Sequence, residues 1–406
     1  MFIVKTIEET KTLIEEHCKA YQLSFMSIDV EDALNCVTAE TIKAPIDLPH
    51  FNRSTVDGYA VIHSVVPQAS ATTPVALRNI GRVEMGGTCP FKLDDNTTVY
   101  VPTGGAVPNN ATAMVMIENT DALGDEVLIN KRVSKWENIL IKGSDIQHGN
   151  VVVSKNTRIT PALIGALKAI GISKLKVFKK ITALVLSTGD EITDHFPPSI
   201  GEILDINTYS ITNYLNKQGI DVQETKVIKD NFEVYKEAII EGMHHYDIVF
   251  ASGGSSVGDK DYTYQILKDL HANIFVHGVN IKPGKPTIFA MLNQKLFVGL
   301  PGQPTSAYMV LNTFFPTIDK AIHHLKTPLY EPYVEGIITH NVSGAQGRKT
   351  FQLVTINGTS PIQVTPLFAK SGMITSLSKA YGYIIIESGE EGLLKGEVVK
   401  VYRLGD

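Results

Sequence analysis

The chain has 406 residues, enough for two to four domains at about 150 residues each. Hydrophobic residues make up 43% and charged residues 19%, an ordinary globular composition that excludes extensive disorder. The net charge of −5 argues against a protein that coats DNA or RNA, because that role needs a net basic face. It leaves room for a local basic pocket that binds a small anion.

The cysteines and the apolar runs indicate the compartment. Cys18, Cys36 and Cys89 lie far apart and form no C-x-x-C pair, which argues against a disulfide framework or a structural zinc site. The acidic N-terminal segment lacks the apolar core of a signal peptide, and no run approaches the roughly 18 apolar residues of a membrane span. We therefore expect a cytoplasmic protein with no membrane and no nucleic-acid partner.

The N-terminal part of the chain predicts short helices followed by short strands. Thr6 and Glu9 form the S/T-x-x-E pattern of a capping box at the start of a helix. A second helix is expected over residues 30–39. From residue 46 the chain is rich in β-branched residues and Gly/Pro breaks, which favours a β-rich region. Its predicted strands cover 98–101, 113–117 and 151–153, and a helix over 161–170 ends at Gly171.

Residues 181–326 alternate between apolar strands and amphipathic helices. This alternation predicts a doubly wound sheet, mostly parallel, with helices on both faces. The expected strands are 181–186, 222–228, 247–251 and 296–298, and the expected helices are 209–217, a helix started by Asp230 and Glu233, and 309–325. Ligands of such sheets bind beyond the carboxyl ends of the strands, so the loops after Leu186, Ala251 and Val298 are candidate sites.

The chain after Pro328 changes to alternating β segments. These segments cover 334–338, 350–356, 362–364, 383–386 and 398–402. Their spacing predicts a small all-β domain of about 75–80 residues.

Four loops at the expected ligand edge carry chemistry-bearing residues. Residues 187–191 (S-T-G-D-E) hold two carboxylates, and residues 252–261 form a glycine-rich loop that allows backbone N–H groups to approach an anion. That loop has Asp259 where a P-loop has its lysine, which favours a divalent cation between carboxylate and phosphate. Residues 282–286 (K-P-G-K-P) present two rigid ammonium groups suited to a compact oxyanion. Residues 299–307 (G-L-P-G-Q-P-T-S-A) open the last helix.

Each loop also has a purely structural explanation. Helix capping accounts for the carboxylates, and a tight turn accounts for each glycine- or proline-rich stretch. Two loops further upstream, 52–60 and 143–146, mix hydroxyls with an acidic residue and are ordinary loops when taken singly. The chain contains no H-E-x-x-H zinc motif and no G-x-S-x-G nucleophile elbow.

Taken in order, these motifs resemble the MoeA family of molybdopterin molybdenumtransferases, which includes the gephyrin E domain. The matching series runs N-R-S-T-V-D-G-Y-A, T-G-G-A-V-P, G-S-D-I, S-T-G-D-E, D-I-N, S-G-G-S-S-V-G, K-P-G-K-P and G-L-P-G-Q-P-T-S-A. It continues near the C-terminus with G-R-x-x-F at 347–351 and S-G-M-x-x-S-L at 371–377. The resemblance covers nearly the whole chain.

The resemblance implies a multidomain α/β plus β architecture. Residues 1–180 would form a helical linking segment and a β-rich lobe (about 46–144), residues 181–326 a MogA-like, doubly wound molybdopterin-binding domain, and residues 327–406 a C-terminal β-barrel. The implied reaction inserts molybdate into adenylylated molybdopterin, releases AMP and needs Mg²⁺. The implied assembly is a homodimer whose active site is shared between subunits, with a MogA-type adenylyltransferase as a possible partner.

The resemblance also assigns roles to residues. Asp230 and Asp261 would hold the metal, with Glu191 as a further candidate. The loop from Gly253 to Gly258 would cradle the pterin phosphate. The expected catalytic set is Asp57, Asp145, Glu191 and Asp261, with Asp57, Thr103 and Asp145 contributed by the other subunit. The expected substrate-binding set is Thr103, Thr188, Ser252, Gly253, Gly254, Ser256, Gly258, Lys282, Lys285, Pro301, Arg348 and Ser371, of which Lys282, Lys285, Arg348 and Ser371 would hold molybdate.

The chain departs from the family pattern at several positions, most of which lose a basic or hydrogen-bonding group. The departures are Leu140, Ser144, Gly278, Gln303 and Gln352. Two alternatives therefore stay open: a non-catalytic scaffold or binding module, and a relative that adenylylates molybdopterin or handles tungstate.

Overall fold

The computed structural model describes residues 4–254, 261–326 and 333–404. The helix Ile7–Cys18 begins at the predicted capping box, where Thr6 Oγ1 accepts the Glu9 N–H at 3.1 Å and Glu9 Oε2 accepts the Thr6 N–H at 2.8 Å. Ile14 and Cys18 are fully buried against the central domain. Burial raises the pKa of the Cys18 thiol to about 12, so this cysteine is a core residue without thiolate character.

The prediction of a helix over 30–39 is wrong. Only Val30–Asp32 forms a 3₁₀ turn, and Asn35 then adopts a left-handed backbone at φ 64°. The following residues pair with distant strands instead, since the Thr38 N–H donates to the Thr157 carbonyl and the Ala39 N–H to the Lys176 carbonyl. Long-range pairing has therefore overridden a weak local helix preference.

The β-rich lobe is built on a six-stranded sheet with a core on each face. Tyr59 and Val61 pack into one core, whereas Ala60 and Met114 pack into the other. This alternation follows from the two-residue period of a strand. The spatial order of the strands is Ala113–Met116, Gly58–Val61, Thr97–Val101, Val75–Arg82, Glu126–Ile129 and Thr120–Leu123.

The rest of the N-terminal region joins this lobe to the central domain through short paired segments. The helix Pro161–Ala169 begins with Pro161 after the Thr160 cap and is followed by Gly171 at φ 81°, as predicted. The strand pairs are Phe25–Asp29 with Lys174–Phe178, Ile42–Lys43 with Val151–Val153, and Arg53–Ser54 with Ile139–Leu140.

The central domain is a doubly wound sheet, which confirms the predicted fold class. In spatial order its strands are Asp221–Ile228, Thr182–Thr188, Ile248–Ser252, Lys295–Leu300, Ile288–Leu292 and Asn273–His277. The first four run parallel, and the fifth is antiparallel to both of its neighbours. The helices Asn207–Lys217 and Pro304–Ile322 cover one face, and Phe232–His245 and Tyr262–Asp269 cover the other.

Two helix starts in this domain differ from the prediction. The helix Phe232–His245 is capped by Asn231, whose Oδ1 accepts the Val234 N–H at 3.1 Å, so Asp230 stands one residue ahead of the cap. The last helix begins at Pro304, ahead of the range 309–325 but within the loop 299–307 that was expected to open it, because proline is well suited to the first helical position.

The C-terminal strands close into a barrel, which confirms that prediction. The strand Lys349–Asn357 pairs on one side with Gln363–Pro366 and on the other with Gly382–Ile386. Tyr333–Ile338 and Val398–Arg403 complete the ring. Its core includes Ile338, Val354 and Ile384, which are fully buried. A short helix, Ile374–Lys379, lies between the strands Gln363–Pro366 and Gly382–Ile386.

A direct backbone link connects the central domain to the barrel. Ile281 and Lys282 form a two-residue strand that pairs in parallel with Lys349 and Thr350. Beside it, Asn280 Nδ2 donates to the Gly347 carbonyl at 2.8 Å. The lysine-bearing loop of the central domain is therefore held against the first residues of a barrel strand. No helix in the described parts of the chain is long and apolar enough to cross a bilayer.

A charged cluster connects the N-terminal region to the helix Pro304–Ile322. Arg158 Nη2 donates to both carboxylate oxygens of Asp319, at 2.8 and 2.6 Å, and His323 Nδ1 donates to Oδ1 at 2.9 Å. Burial opposes ionisation of Asp319, but the hydrogen bond from His323 and the Arg158 guanidinium outweigh it and hold the pKa of this carboxyl below its usual range.

We expect Asp319→Asn to lower the free energy of unfolding by about 2 kcal/mol at pH 7, because the two charge-assisted contacts lose their anion. The depressed pKa means that the carboxylate stabilises the fold fully above its ordinary value of 3.8. This stabilisation is lost as the pH falls through the lower folded pKa, so the difference between the proteins should shrink below about pH 4. Urea unfolding of both proteins at several pH values measures this difference in the free energy of unfolding.

Glu15→Gln is the matched control, because Glu15 forms a more exposed ion pair with Lys320, the residue after Asp319, at 3.1 Å. It should change the free energy of unfolding by less than about 0.5 kcal/mol. An equal loss in both variants would contradict the role assigned to the Asp319 cluster.

Candidate active site

A cleft of about 1400 Å³ lies between the carboxyl ends of the central strands and the barrel. The loops after Thr182–Thr188, Ile248–Ser252 and Lys295–Leu300 all open into it, as the rule for parallel sheets predicts. Of the predicted site residues, the structure brings these together along the cleft: Thr188, Glu191, Asp230, Ser252, Gly253, Gly254, Lys282, Lys285, Pro301, Arg348 and Ser371.

The floor of the cleft is glycine backbone packed against a threonine. Gly253 has φ +94°, and a Cβ there would lie 2.5 Å from the Thr188 carbonyl oxygen. Gly254 has φ +65°, with Thr263 Oγ1 3.0 Å from the same hypothetical position. Both positions therefore require glycine, for conformation and for space. Both glycines line the cleft at the end of the strand Ile248–Ser252, and the Gly253 N–H donates to the Leu300 carbonyl at 3.4 Å.

Asn207 holds two of these loops together and was not predicted as a site residue. Its Nδ2 donates to Ser252 Oγ at 2.6 Å and to the Gly302 carbonyl at 2.7 Å. The D-I-N motif contains this residue and is the only sequence signal that could have identified it. Within the described residues, three buried oxygens along the cleft have no hydrogen-bond partner: Thr188 Oγ1, Asn207 Oδ1 and Thr305 Oγ1. Such atoms are uncommon in folded proteins, and the described residues hold three more outside the cleft, on Asn156, Thr212 and Thr317.

One wall of the cleft is acidic. Its carboxylates are Glu191, Asp205 and Asp230. Glu191 and Asp230 follow neighbouring paired strands, since Thr188 and Ile228 are register partners. The loops are joined directly, because Asp190 Oδ1 accepts the Asp230 N–H at 3.0 Å. Two exposed carboxylates are thus held close to the glycine floor.

The opposite wall is basic, because the loop with Lys282 and Lys285 joins Asn273–His277 and Ile288–Leu292 at one edge of the sheet, whereas Glu191 and Asp230 follow the two strands at the other edge. Lys282 and Lys285 come from the central domain, and Arg348 and Lys370 come from the barrel. Gly284, between the two lysines, has φ +119° and packs against Val310 of the last helix. Among the described residues, none of these four cations is in an ion pair with a carboxylate. Their mutual repulsion is therefore not compensated within that part of the protein.

Asp261, which the resemblance assigns to the metal and to catalysis, follows the undescribed residues 255–260. It caps the helix Tyr262–Asp269, with Oδ1 accepting the Tyr264 N–H at 3.1 Å. Its Oδ2 lies 3.3 Å from His277 Nε2, and the His277 ring stacks on Tyr264. Asp261 is not among the residues that line the cleft. Ser256 and Gly258 lie outside the described residues.

Asp57, Thr103 and Asp145 lie on the β-rich lobe and do not line this cleft. All three are exposed, and Asp57 Oδ1 accepts the Thr103 N–H at 2.9 Å. Their expected role belongs to the cleft of a second subunit, so their distance from the cleft of their own chain is compatible with it.

Two of the departures from the family pattern have structural roles in the cleft. Gln303 Oε1 accepts the hydroxyl of Ser371, and Gln352 Nε2 donates to the Leu367 carbonyl at 2.7 Å. Gly278 lies outside the cleft, where its backbone pairs with Thr287 and Lys5, and Leu140 pairs with Arg53 in the lobe.

Comparisons with known proteins agree over nearly the whole chain. Models of the MoeA N-terminal region (domains I and II), of a probable molybdopterin binding domain and of the MoeA C-terminal region (domain IV) match residues 5–171, 184–320 and 335–404. A putative molybdopterin biosynthesis protein of Methanocaldococcus jannaschii is 33% identical over 387 residues, covering 93% of this chain and 92% of the relative. A molybdopterin molybdenumtransferase of Staphylococcus aureus is 30% identical over 382 residues, covering 93% and 90%.

The solved structures give the same result. A molybdopterin biosynthesis MoeA protein of Pyrococcus horikoshii superposes with a TM-score of 0.77 at 31% identity, covering 99% of this chain and 100% of that one. Sequence, domain order and fold therefore all place this chain in the MoeA family.

We expect Gly253→Ala to lower the free energy of unfolding by about 2–3 kcal/mol, because the new methyl group would collide with the Thr188 carbonyl in a left-handed backbone. Gly372→Ala is the matched control, since Gly372 lines the same cleft but has no positive φ and no atom within 4 Å of the place that a Cβ would take. Thermal unfolding compares the two. Equal stability of both variants would show that the floor does not require glycine at this position.

Proposed function

We propose that this MoeA-family chain is a molybdopterin molybdenumtransferase of molybdenum cofactor biosynthesis, which inserts molybdate into adenylylated molybdopterin and releases AMP. The single observation that carries the proposal is the separation of charge across the cleft. Carboxylates line one wall, cations without a counter-ion among the described residues line the other, and a glycine floor lies between them. The relatives that are named for this activity or for molybdopterin biosynthesis support it.

The basic wall suits molybdate. Molybdate is a compact tetrahedral dianion that only accepts hydrogen bonds, whereas lysine and arginine side chains only donate them. Lys282 and Lys285 stand on a turn that Pro283 and Pro286 stiffen, so little backbone freedom is lost when the anion binds. Arg348 adds a planar fork of donors from the barrel. Together they would hold the oxyanion beside the pterin.

The glycine floor suits the phosphate groups of the second substrate. Gly253 and Gly254 leave room for a phosphate to reach the backbone, and the helix Tyr262–Asp269 begins shortly after them with its partial positive end. The unpaired Asn207 Oδ1 would accept a hydrogen bond from the ligand, and the Thr188 hydroxyl would accept or donate one. Substrate recognition at this end would therefore combine backbone donors with side-chain hydroxyl and amide groups.

The acidic wall fits Mg²⁺. Proteins bind this ion through one or two carboxylates together with substrate phosphates. Glu191 and Asp230, both facing the cleft, would hold the ion, whereas Asp261 is engaged with Tyr264 and His277. Mg²⁺ would offset the phosphate charge of the adenylylated substrate.

The protein's part in the reaction is positioning and charge stabilisation. The two thiols of the pterin substrate would bond to molybdenum, and one oxygen of molybdate would leave as water with their two protons. Water would cleave the phosphoanhydride bond to release AMP, so no nucleophilic side chain is needed. Lys282, Lys285 and Arg348 would orient the oxyanion and stabilise the charge that moves onto its departing oxygen. The floor would hold the other substrate at a fixed distance from it.

Residues of the lobe complete the site in our proposal through a homodimer. Asp57, Thr103 and Asp145 are exposed, and none of them lines the cleft of its own chain. We propose that they contact the cleft of the second subunit. A MogA-type adenylyltransferase would supply the adenylylated substrate.

A defined assay tests the proposal as a whole. Purified protein, adenylylated molybdopterin, Mg²⁺ and molybdate should yield AMP and active cofactor together, and chelation of Mg²⁺ should stop both. A non-catalytic scaffold would release no AMP in response to molybdate. An adenylylating relative would instead consume ATP without molybdate, and a tungstate-handling relative would respond to tungstate in its place.

We expect Lys282→Ala to weaken molybdate binding by about tenfold or more, because it removes a charge-assisted hydrogen bond to the oxyanion. Isothermal titration calorimetry with sodium molybdate measures the affinity. Lys236→Ala is the control, since Lys236 belongs to the same domain but pairs with Asp269 on its surface. Unchanged affinity in the Lys282 variant would count against the oxyanion assignment.

We expect a mixture of Asp57→Asn and Lys282→Ala subunits to recover activity that neither variant has alone. A hybrid dimer would contain one cleft with both native residues, so exchange of subunits at equal mixing should restore at most about a quarter of wild-type AMP release. As the control, two preparations of a chain that carries both Asp57→Asn and Lys282→Ala are mixed. Their dimers contain no cleft with both native residues. No recovery after exchange would refute the shared site.

A further inference from the structure

The turn of residues 189–192, which carries Glu191 into the cleft, is held by a lysine that does not line the cleft itself. Lys229 follows the neighbouring strand, and its Nζ donates to the Asp190 carbonyl at 2.9 Å and to the Ile192 carbonyl at 2.7 Å. These two carbonyls belong to the residues on either side of Glu191. One ammonium group therefore fixes the backbone before and after the carboxylate-bearing residue.

Further hydrogen bonds join the same two segments. The Asp230 N–H donates to Asp190 Oδ1 at 3.0 Å, and the Gly189 N–H donates to the Ile228 carbonyl at 3.1 Å. Glu191 and Asp230, the two carboxylates that would hold Mg²⁺, thus stand on segments that are tied to each other next to the end of their strands.

The shape of the turn determines where the Glu191 carboxylate lies. A Cβ on Gly189 would lie 2.7 Å from Glu191 Oε2 and 2.9 Å from Oε1, so the carboxylate folds back over the glycine. A change in the turn would therefore move this carboxylate relative to Asp230.

Lys229 has two opposing effects on a cation bound at this wall. Its positive charge lies close to the carboxylates and disfavours a second cation. Its hydrogen bonds hold the turn, and Mg²⁺ requires ligands in near-ideal octahedral geometry. Groups that orient metal ligands without touching the metal contribute strongly to metal affinity.

We propose that Lys229 is a positioning residue of the Mg²⁺ site, which holds the turn 189–192 so that Glu191 and Asp230 bind one ion together. The inference rests on the Mg²⁺ binding in the proposed function and deepens it. In this role the hydrogen bonds of Lys229 outweigh the repulsion between its charge and the ion.

The test is a Mn²⁺ titration of the full-length protein by electron paramagnetic resonance, with AMP present to supply a phosphate. Mn²⁺ replaces Mg²⁺ as the probe because the two ions share a preference for six oxygen ligands. We expect Lys229→Met to weaken Mn²⁺ binding about tenfold, because the turn is no longer held. Lys229→Arg should keep most of the affinity, since it keeps both the charge and several N–H donors.

Lys226→Met is the matched control. Lys226 belongs to the strand that precedes Lys229, but its ammonium group lies 3.2 Å from Glu224 and 2.9 Å from Glu241, outside the cleft. Its removal should change the Mn²⁺ affinity by less than about twofold, because exposed charges at a distance are screened.

A second variant tests the turn without changing any charge. Gly189 has no positive φ, and the atoms that a Cβ would meet belong to the end of a flexible side chain, so Gly189→Ala should fold. We expect it to weaken Mn²⁺ binding, because the methyl group displaces the Glu191 carboxylate. Wild-type affinity in this variant would show that the turn does not place the carboxylate for the metal.

The outcomes separate this inference from the proposed function. A Lys229→Met protein that binds Mn²⁺ as tightly as the wild type, or more tightly, would overturn the inference, since loss of the charge alone predicts tighter binding. Wild-type protein that binds no Mn²⁺, or a Glu191→Gln variant that keeps full affinity, would overturn the assigned metal site together with the inference. Molybdate binding and AMP release test the rest of the proposed function independently of these titrations.

Discussion

The short parallel pairing between Ile281–Lys282 and the barrel strand Lys349–Asn357 determines how the cleft is built. It joins a loop of the central domain to the barrel by backbone hydrogen bonds, so that Arg348, next to the pairing, and the lysines of the loop face one cleft. Lys349 extends the junction, because its ammonium group lies 3.0 Å from Glu8 of the first helix and 3.3 Å from Glu387 of the barrel. Cations that are distant in sequence are thus concentrated on one wall.

The gathering of cations on one wall of the cleft is electrostatically unfavourable without a ligand, and it therefore indicates the charge of the ligand. Like charges raise one another's energy unless a counter-ion is present, and the structure places the carboxylates of the cleft on the far wall instead of among the cations. A ligand with a compact dianion at one end and metal-bound phosphates at the other would satisfy both walls. The same arrangement would orient such a ligand in one direction. The glycine floor would set the distance between its dianion and its metal-bound phosphates.

The sequence predicted the features that depend on local patterns. The capping box at Thr6 and Glu9 and the apolar strand near 181 involve neighbouring residues, and both are confirmed. The loops at the ligand edge followed from the topology of parallel sheets. The failed helix over 30–39 is the opposite case, because its residues pair with strands far along the chain.

The missed residues share one cause. Asn207 bridges two strand ends, and Gln303 and Gln352 contact the barrel segment 367–371. Their roles depend on which loops meet across the domain boundary, and no local pattern records that meeting. Lys229 likewise resembles any exposed lysine until the ends of two neighbouring strands are placed side by side.

The most direct test of the central claim is a crystal structure of the protein soaked in molybdate, with anomalous scattering used to locate molybdenum. We expect an anomalous peak within hydrogen-bonding reach of Lys282, Lys285 and Arg348, on the basic wall of the cleft. A peak that fills another crevice while this wall is empty would contradict it.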